Sequence, residues 1–148
     1  MLSYISPAIG ITLSSLIIYY LNNLKTIGCA CALNYKRDYI MGFSGILIAM
    51  NLAAVVVGGS HKLAAVYMKY PVLYGFLVAL TIGAIVNIVF TLQYVEEMKR
   101  INCDCSESVY RDMMFILAII QAASYGIIAI LAAYLGYSAV TAMKMGRR

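Results

Sequence analysis

A chain of 148 residues that is 64% hydrophobic and only 11% charged, with a mean hydropathy of +0.87, cannot fold as a water-soluble domain. Soluble domains carry roughly 25% charged residues, and a chain this short has too little interior to hide so much apolar surface. Lipid must be the solvent for most of it, and the net charge of +5 belongs to the few segments that leave the bilayer.

Four uncharged stretches, at about 4–24, 39–57, 72–95 and 113–134, meet or approach the ~20 residues that a helix needs to cross a bilayer. The segments show none of the period-two alternation of barrel strands. The first stretch has no positive charge before it and no clear small-x-small cleavage site after it, so it reads as a retained helix and not as a signal peptide. Tyr19, Tyr20, Asn22 and Asn23 mark its exit into the interface. A loop follows, KTIGCACALNYKRD at 25–38, and then the second span.

The connection GSHKLAAVYMKYP at 59–71 spaces Leu63, Val66, Tyr67 and Tyr70 along one helical face between Lys62 and Lys69. It reads either as a short helix lying on the membrane or as an extension of a neighbouring span. His61 lies in this connection and reads as an interface residue. Pro71 opens the third span. A second loop, KRINCDCSESVYRD at 99–112, leads into the fourth, and the chain ends in a basic tail with Lys144, Arg147 and Arg148 that reads as a lipid-facing anchor.

The two loops match without a gap. Lys25, Ile27, Cys29, Cys31, Arg37 and Asp38 meet Lys99, Ile101, Cys103, Cys105, Arg111 and Asp112, six identities in fourteen positions where average usage gives about one. They hold all four cysteines and ten of the seventeen charged residues. Outside them the match thins to Ile11/Ile85, Tyr20/Tyr94, Ile46/Ile120 and Ala49/Ala123. The predicted architecture is therefore all-α: a four-transmembrane-helix bundle of two tandem parallel helical-hairpin repeats, about 1–71 and 72–148, in a single membrane domain.

With four spans, both loops fall on one membrane face. That loop face holds every acidic residue: Asp38, Glu96, Glu97, Asp104, Glu107 and Asp112. Lys and Arg divide almost evenly, six on the loop face and five opposite, so the positive-inside count does not decide orientation. Net charge, +5 on the opposite face and zero on the loop face, leans towards the opposite face lying on the cytoplasmic or genome-facing side, and absolute orientation stays open.

Asn34 and Ser108 occupy equivalent positions and are predicted N-caps of the second and fourth spans. Asp38 and Asp112 then sit in the first turn, where the helix dipole favours acid. Adjacent residues on a helix point about 100° apart. Two arrangements are open: Arg37 meets Asp112 across the pseudo-twofold and Arg111 meets Asp38, an expected set of inter-repeat ion pairs, or the arginines contact lipid phosphate and the aspartates water. Three chemistries fit Cys29, Cys31, Cys103 and Cys105: disulfides between the loops, a four-thiolate zinc site, or unlinked thiols packed as small hydrophobes. The CxC spacing is tighter than the usual C-x2-4-C of zinc ligands, and it disfavours a bond within one pair.

Within the spans, Asn51, Asn87 and Gln121 are expected to hydrogen-bond between helices or to line an oligomeric pore. No intramembrane acid or base marks an ion path. Gly42, Gly45, Ala49 and Ala53, and the ladder Ala118, Ala122 and Gly126, are candidate close-packing surfaces for the bundle or for self-association. Nucleophile triads, phosphate loops and His/carboxylate clusters are missing from the sequence, so the reading is non-enzymatic and without a cofactor, zinc being the one alternative. The catalytic class that competes is thiol redox: the chain is similar in outline to four-helix disulfide-generating quinone reductases and vitamin K epoxide reductases, but it lacks their CxxC.

The string at 22–40, NNLKTIGCACALNYKRDYI, resembles a CxC…RD motif of small membrane proteins from nucleocytoplasmic large DNA viruses. The first copy carries Lys25, Cys29, Cys31, Tyr35, Lys36, Arg37 and Asp38, the second Lys99, Cys103, Cys105, Tyr110, Arg111 and Asp112, with the tyrosine shifted by one place and the lysine before arginine missing. The resemblance covers some 35 residues and implies a viral internal membrane or a host endomembrane. In such a membrane the chain is expected to be a non-enzymatic structural protein that organises the membrane or docks capsid partners; its other expected contacts are lipid, copies of itself and further membrane proteins, and nucleic acid is not expected. A small oligomeric channel is the main alternative.

Overall fold

The computed structural model describes the backbone of residues 2–145 and the side chains of residues 4–131 and Tyr134. The described chain contains five α-helices and no strand: α1 (Leu2–Thr26), α2 (Tyr35–Val57), α3 (Ser60–Lys69), α4 (Pro71–Arg100) and α5 (Val109–Met145). Short 3-10 turns at Ala30–Ala32 and Asp104–Ser106 join α1 to α2 and α4 to α5. The chain is an all-α bundle whose four long helices are each apolar and long enough to cross a membrane. The expected tail anchor lies outside the described residues at Arg147 and Arg148, as does the side chain of Lys144.

Three helices stop in the same way. At the end of α1, Cys29 N–H donates to Leu24 O and Gly28 N–H to Lys25 O, with Gly28 at φ +68°. The end of α4 repeats this: Cys103 N–H reaches Met98 O and Asn102 N–H reaches Lys99 O, with Asn102 at φ +48°. These are Schellman ends, which need a left-handed residue, and glycine and asparagine are the residues that adopt it most readily. At the end of α2, Gly59 N–H donates to Ala54 O with Gly58 at φ +96°, which detaches α3 as a separate ten-residue helix. The 59–71 connection is thus neither an extension of α2 nor of α4. Tyr70 is extended, as the residue before a proline prefers, and Pro71 opens α4.

Helix α1 packs on α2 and α4 on α5, α2 and α4 join the two hairpins, and α1 meets α5; α3 folds back against α2 and α4. The Tyr67 hydroxyl of α3 lies 3.3 Å from Met50 Sδ, and its ring stacks near Phe76.

Burial follows the 74-residue offset far more closely than identity does. Ser14/Ile88, Tyr20/Tyr94, Leu21/Val95, Leu24/Met98, Cys29/Cys103, Ala32/Ser106, Arg37/Arg111, Ile40/Met114 and Ser44/Ala118 are all buried on both sides of the match. The dense core, from Tyr20 to Met114, gathers at the loop end of the bundle. Elsewhere the apolar side chains face outwards: Val56, Val72 and Ile130 are at least 70% exposed, as lipid-facing surface would be.

The expected glycine seams are not where the helices touch. A Cβ on Gly42, Gly45 or Gly126 would meet nothing within 4 Å. A Cβ on Gly10 would lie 2.8 Å from the Asn51 amide, and one on Gly83 would lie 2.8 Å from the Phe43 ring. The Asn51 amide can swing aside, but the Phe43 ring is buried and stacked on Tyr39, so replacing Gly83 with Ala should lower stability by about 1–3 kcal/mol through overpacking. Gly126→Ala should be neutral or stabilise by up to about 1 kcal/mol. Unfolding curves of the two variants in one detergent check this, and equal effects would contradict the packing.

Candidate functional site

The two Schellman ends deliver Cys29 and Cys103 into the core, and the 3-10 turns place Cys31 and Cys105 on the outer side. Within each turn the backbone repeats itself. Ala32 N–H donates to Cys29 O and Ser106 N–H to Cys103 O, while Leu33 N–H donates to Ala30 O and Glu107 N–H to Asp104 O. The turns then hand over to capped helices. Asn34 Oδ1 accepts from Arg37 N–H at 3.1 Å, and Ser108 Oγ accepts from Arg111 N–H at 3.4 Å.

The four cysteines form two crossed disulfides, Cys29–Cys105 and Cys31–Cys103, with Cα separations of 5.8 and 6.1 Å. Their sequence separations are 76 and 72, so a shift of 74 exchanges one bridge for the other. The cysteines at equivalent positions are not bonded: Cys29 and Cys103 sulfurs lie 3.7 Å apart, those of Cys31 and Cys105 3.5 Å.

Beneath the bridges, Tyr20 and Tyr94 cross in the same sense. The Tyr20 hydroxyl donates to Ser106 O at 2.7 Å, and the Tyr94 hydroxyl donates to Ala32 O at 2.8 Å. Ser106 and Ala32 are themselves equivalent, so the first helix of each hairpin holds the turn of the other. Both rings are buried, and these bonds supply the partners that buried phenol groups require. The only sequence signal for this pair is its 74-residue spacing.

The arginines do not make the expected reciprocal pairs. Arg37 Nε and Nη2 donate to Leu21 O at 3.1 and 3.0 Å, towards the C-terminal end of α1, where the helix dipole favours a cation. Its Nη1 pairs with the neighbouring Asp38. The long arginine folds back to its sequence neighbour, so the angle between successive helix positions is no obstacle. Arg111 Nη1 donates to Ser106 Oγ at 3.3 Å, Glu107 and Asp112 each lie 4.0 Å from its guanidinium, and its buried Nε has no hydrogen-bond partner. Asp112 pairs with Lys99 at 3.0 Å. The ion pair that does join the hairpins is Lys36–Glu97 at 2.9 Å, which sequence reasoning missed because Glu97 lies outside the matched loops.

Asn51, Asn87 and Gln121 come together, with Ser14, Ser44 and Thr91, around one cavity of about 520 Å³ inside the bundle. The amides do not bridge helices as expected. Asn51 Nδ2 donates to Leu47 O within its own helix, and Asn87 Oδ1 is buried without a partner.

Two measurements check the clasp. Tyr20→Phe and Tyr94→Phe should each cost about 1–3 kcal/mol, since each leaves a buried carbonyl unpaired, and denaturant unfolding at constant redox state reads the loss. Cys29→Ser should free Cys105 for alkylation and leave Cys103 protected; label found on Cys103 would refute the crossed pairing. No family model, curated protein or solved structure matches the chain, so its own side chains carry the functional reading.

Proposed function

We propose that the protein is a non-enzymatic structural component of a membrane, a rigid four-helix unit of a viral internal membrane or host-derived endomembrane. The observation that carries this reading is the clasp: all four cysteines are used in bridges between the hairpins, at the end where the core is densest. The outward apolar faces of α1, α2, α4 and α5 suit lipid, and the loop face offers a fixed, charge-balanced surface for capsid or membrane partners. Structural disulfides belong to an oxidising compartment. That favours an orientation with the loop face away from the cytosol, in agreement with the placement of every acidic residue there.

A second reading has one specific support. The cavity lined by Asn51, Asn87 and Gln121 would serve a small pore, formed within one bundle or completed by neighbours.

Quantitative proteomics of purified particles from the source virus should place the chain in the membrane fraction at structural copy number. Purified protein in liposomes should neither conduct ions nor oxidise a dithiol in the presence of quinone. Absence from particles would overturn the virion reading. Conductance lost on Asn51→Leu would replace it with the channel, and catalytic dithiol oxidation lost on Cys31→Ser would replace it with a redox enzyme.

A further inference from the structure

We propose that the cysteine clasp is also a zinc site: when its two disulfides are reduced, the same four sulfurs bind one Zn²⁺ and keep the hairpins joined. This inference rests on the cluster geometry alone and stands independently of the scaffold reading.

All four sulfurs lie within 4.8 Å of one another. A tetrahedral zinc tetrathiolate with Zn–S of about 2.3 Å has sulfur–sulfur edges of about 3.8 Å. Four of the six edges here already have that length. Cys29–Cys31 and Cys103–Cys105 are 3.8 Å apart, Cys29–Cys103 3.7 Å and Cys31–Cys105 3.5 Å. The other two edges are the disulfides, and reducing them lets those pairs separate towards the same distance. The tight CxC spacing is no objection in this setting, because each 3-10 turn already spreads its two sulfurs by one tetrahedral edge.

The surroundings suit the product. The Tyr20–Ser106 and Tyr94–Ala32 hydrogen bonds tie the turns together without any bridge, so the ligands stay gathered after reduction. A zinc tetrathiolate carries a charge of 2−, and two buried guanidiniums, Arg37 and Arg111, stand in the first turns of the helices that leave the clasp. Arg111 lines a small cleft together with Cys103, and its Nε lacks a hydrogen-bond acceptor.

The chemistry balances with a dithiol of the thioredoxin class as reductant. Each bridge accepts two electrons and two protons from one dithiol, which leaves as its own disulfide. The four thiols then release four protons as they take up one Zn²⁺; in the reverse direction two equivalents of an oxidised thioredoxin-class protein accept the four electrons and, with four protons, become dithiols, which restores the two bridges and releases the metal. The joint is thereby held in an oxidising compartment by covalent bonds and in a reducing one by metal.

Co²⁺ is the probe for the test, added to full-length protein in nanodiscs after reduction and anaerobic removal of the dithiol. The expected result is the intense thiolate-to-cobalt charge-transfer and tetrahedral d–d absorption of a four-sulfur site, saturating at one equivalent and bleached by one equivalent of Zn²⁺. The oxidised protein should bind none. Cys31→Ser/Cys105→Ser should weaken the cobalt complex by at least about tenfold and abolish the four-sulfur spectrum. Tyr20→Phe, which keeps every ligand, should retain it. A weak octahedral spectrum, saturation away from one equivalent, or equal binding by the serine variant would overturn the proposal. Failure of reduced wild-type protein to bind, with its helical circular dichroism intact, would also overturn it.

Discussion

The bundle depends on a double crossing at its loop end. Two helical hairpins, each with lipid-compatible outer faces, have little hydrophobic reason to associate within a bilayer, because lipid tails are as apolar as leucine. Besides the packed core at the loop end, what joins them is polar and covalent. Tyr20 and Tyr94 each reach the opposite turn, and the two disulfides cross between the same turns. A disulfide closing a long loop typically contributes about 2–4 kcal/mol. The second bridge adds less entropy than the first, because it closes the same loop again, but it removes the remaining freedom of the turns to rotate.

The distribution of burial follows from that joint. Close packing is concentrated where Leu21, Leu24, Ile40, Val95, Met98 and Met114 surround the tyrosines, directly under the sulfurs. Farther from the loops the helices line a cavity of mixed polar and apolar side chains, with close approaches of Gly10 to Asn51 and Gly83 to Phe43. The bundle is thus tied and close-packed at the loop end and less completely filled along its length.

The same joint constrains chemistry. Four sulfurs gathered by two equivalent turns lie close enough to be linked in pairs or to share a metal. The crossed hydroxyl bonds join the same turns without using a sulfur.

Much of this was legible beforehand. Length and hydropathy alone dictate four lipid-soluble helices, because no other backbone arrangement satisfies its hydrogen bonds within each segment. The 74-residue offset marks the loops, and the caps at Asn34 and Ser108 follow from residue type at the start of each apolar run. Other features were out of reach. The role of Tyr20 and Tyr94 depends on hydrogen bonds that span 86 and 62 residues, and nothing local distinguishes them from interface tyrosines. Arg37 and Arg111 have several carboxylates and carbonyls within reach, and only the path of the chain selects among them. Composition and local pattern therefore determined the solvent, the helices and the face on which the chemistry lies. The tertiary structure decided which sulfur meets which, that the glycines of the apparent seams stand free, and that the polar side chains of separate spans share one cavity. Those outcomes depend on the relative placement of two hairpins, and that placement is set by long-range contacts that no segment carries by itself.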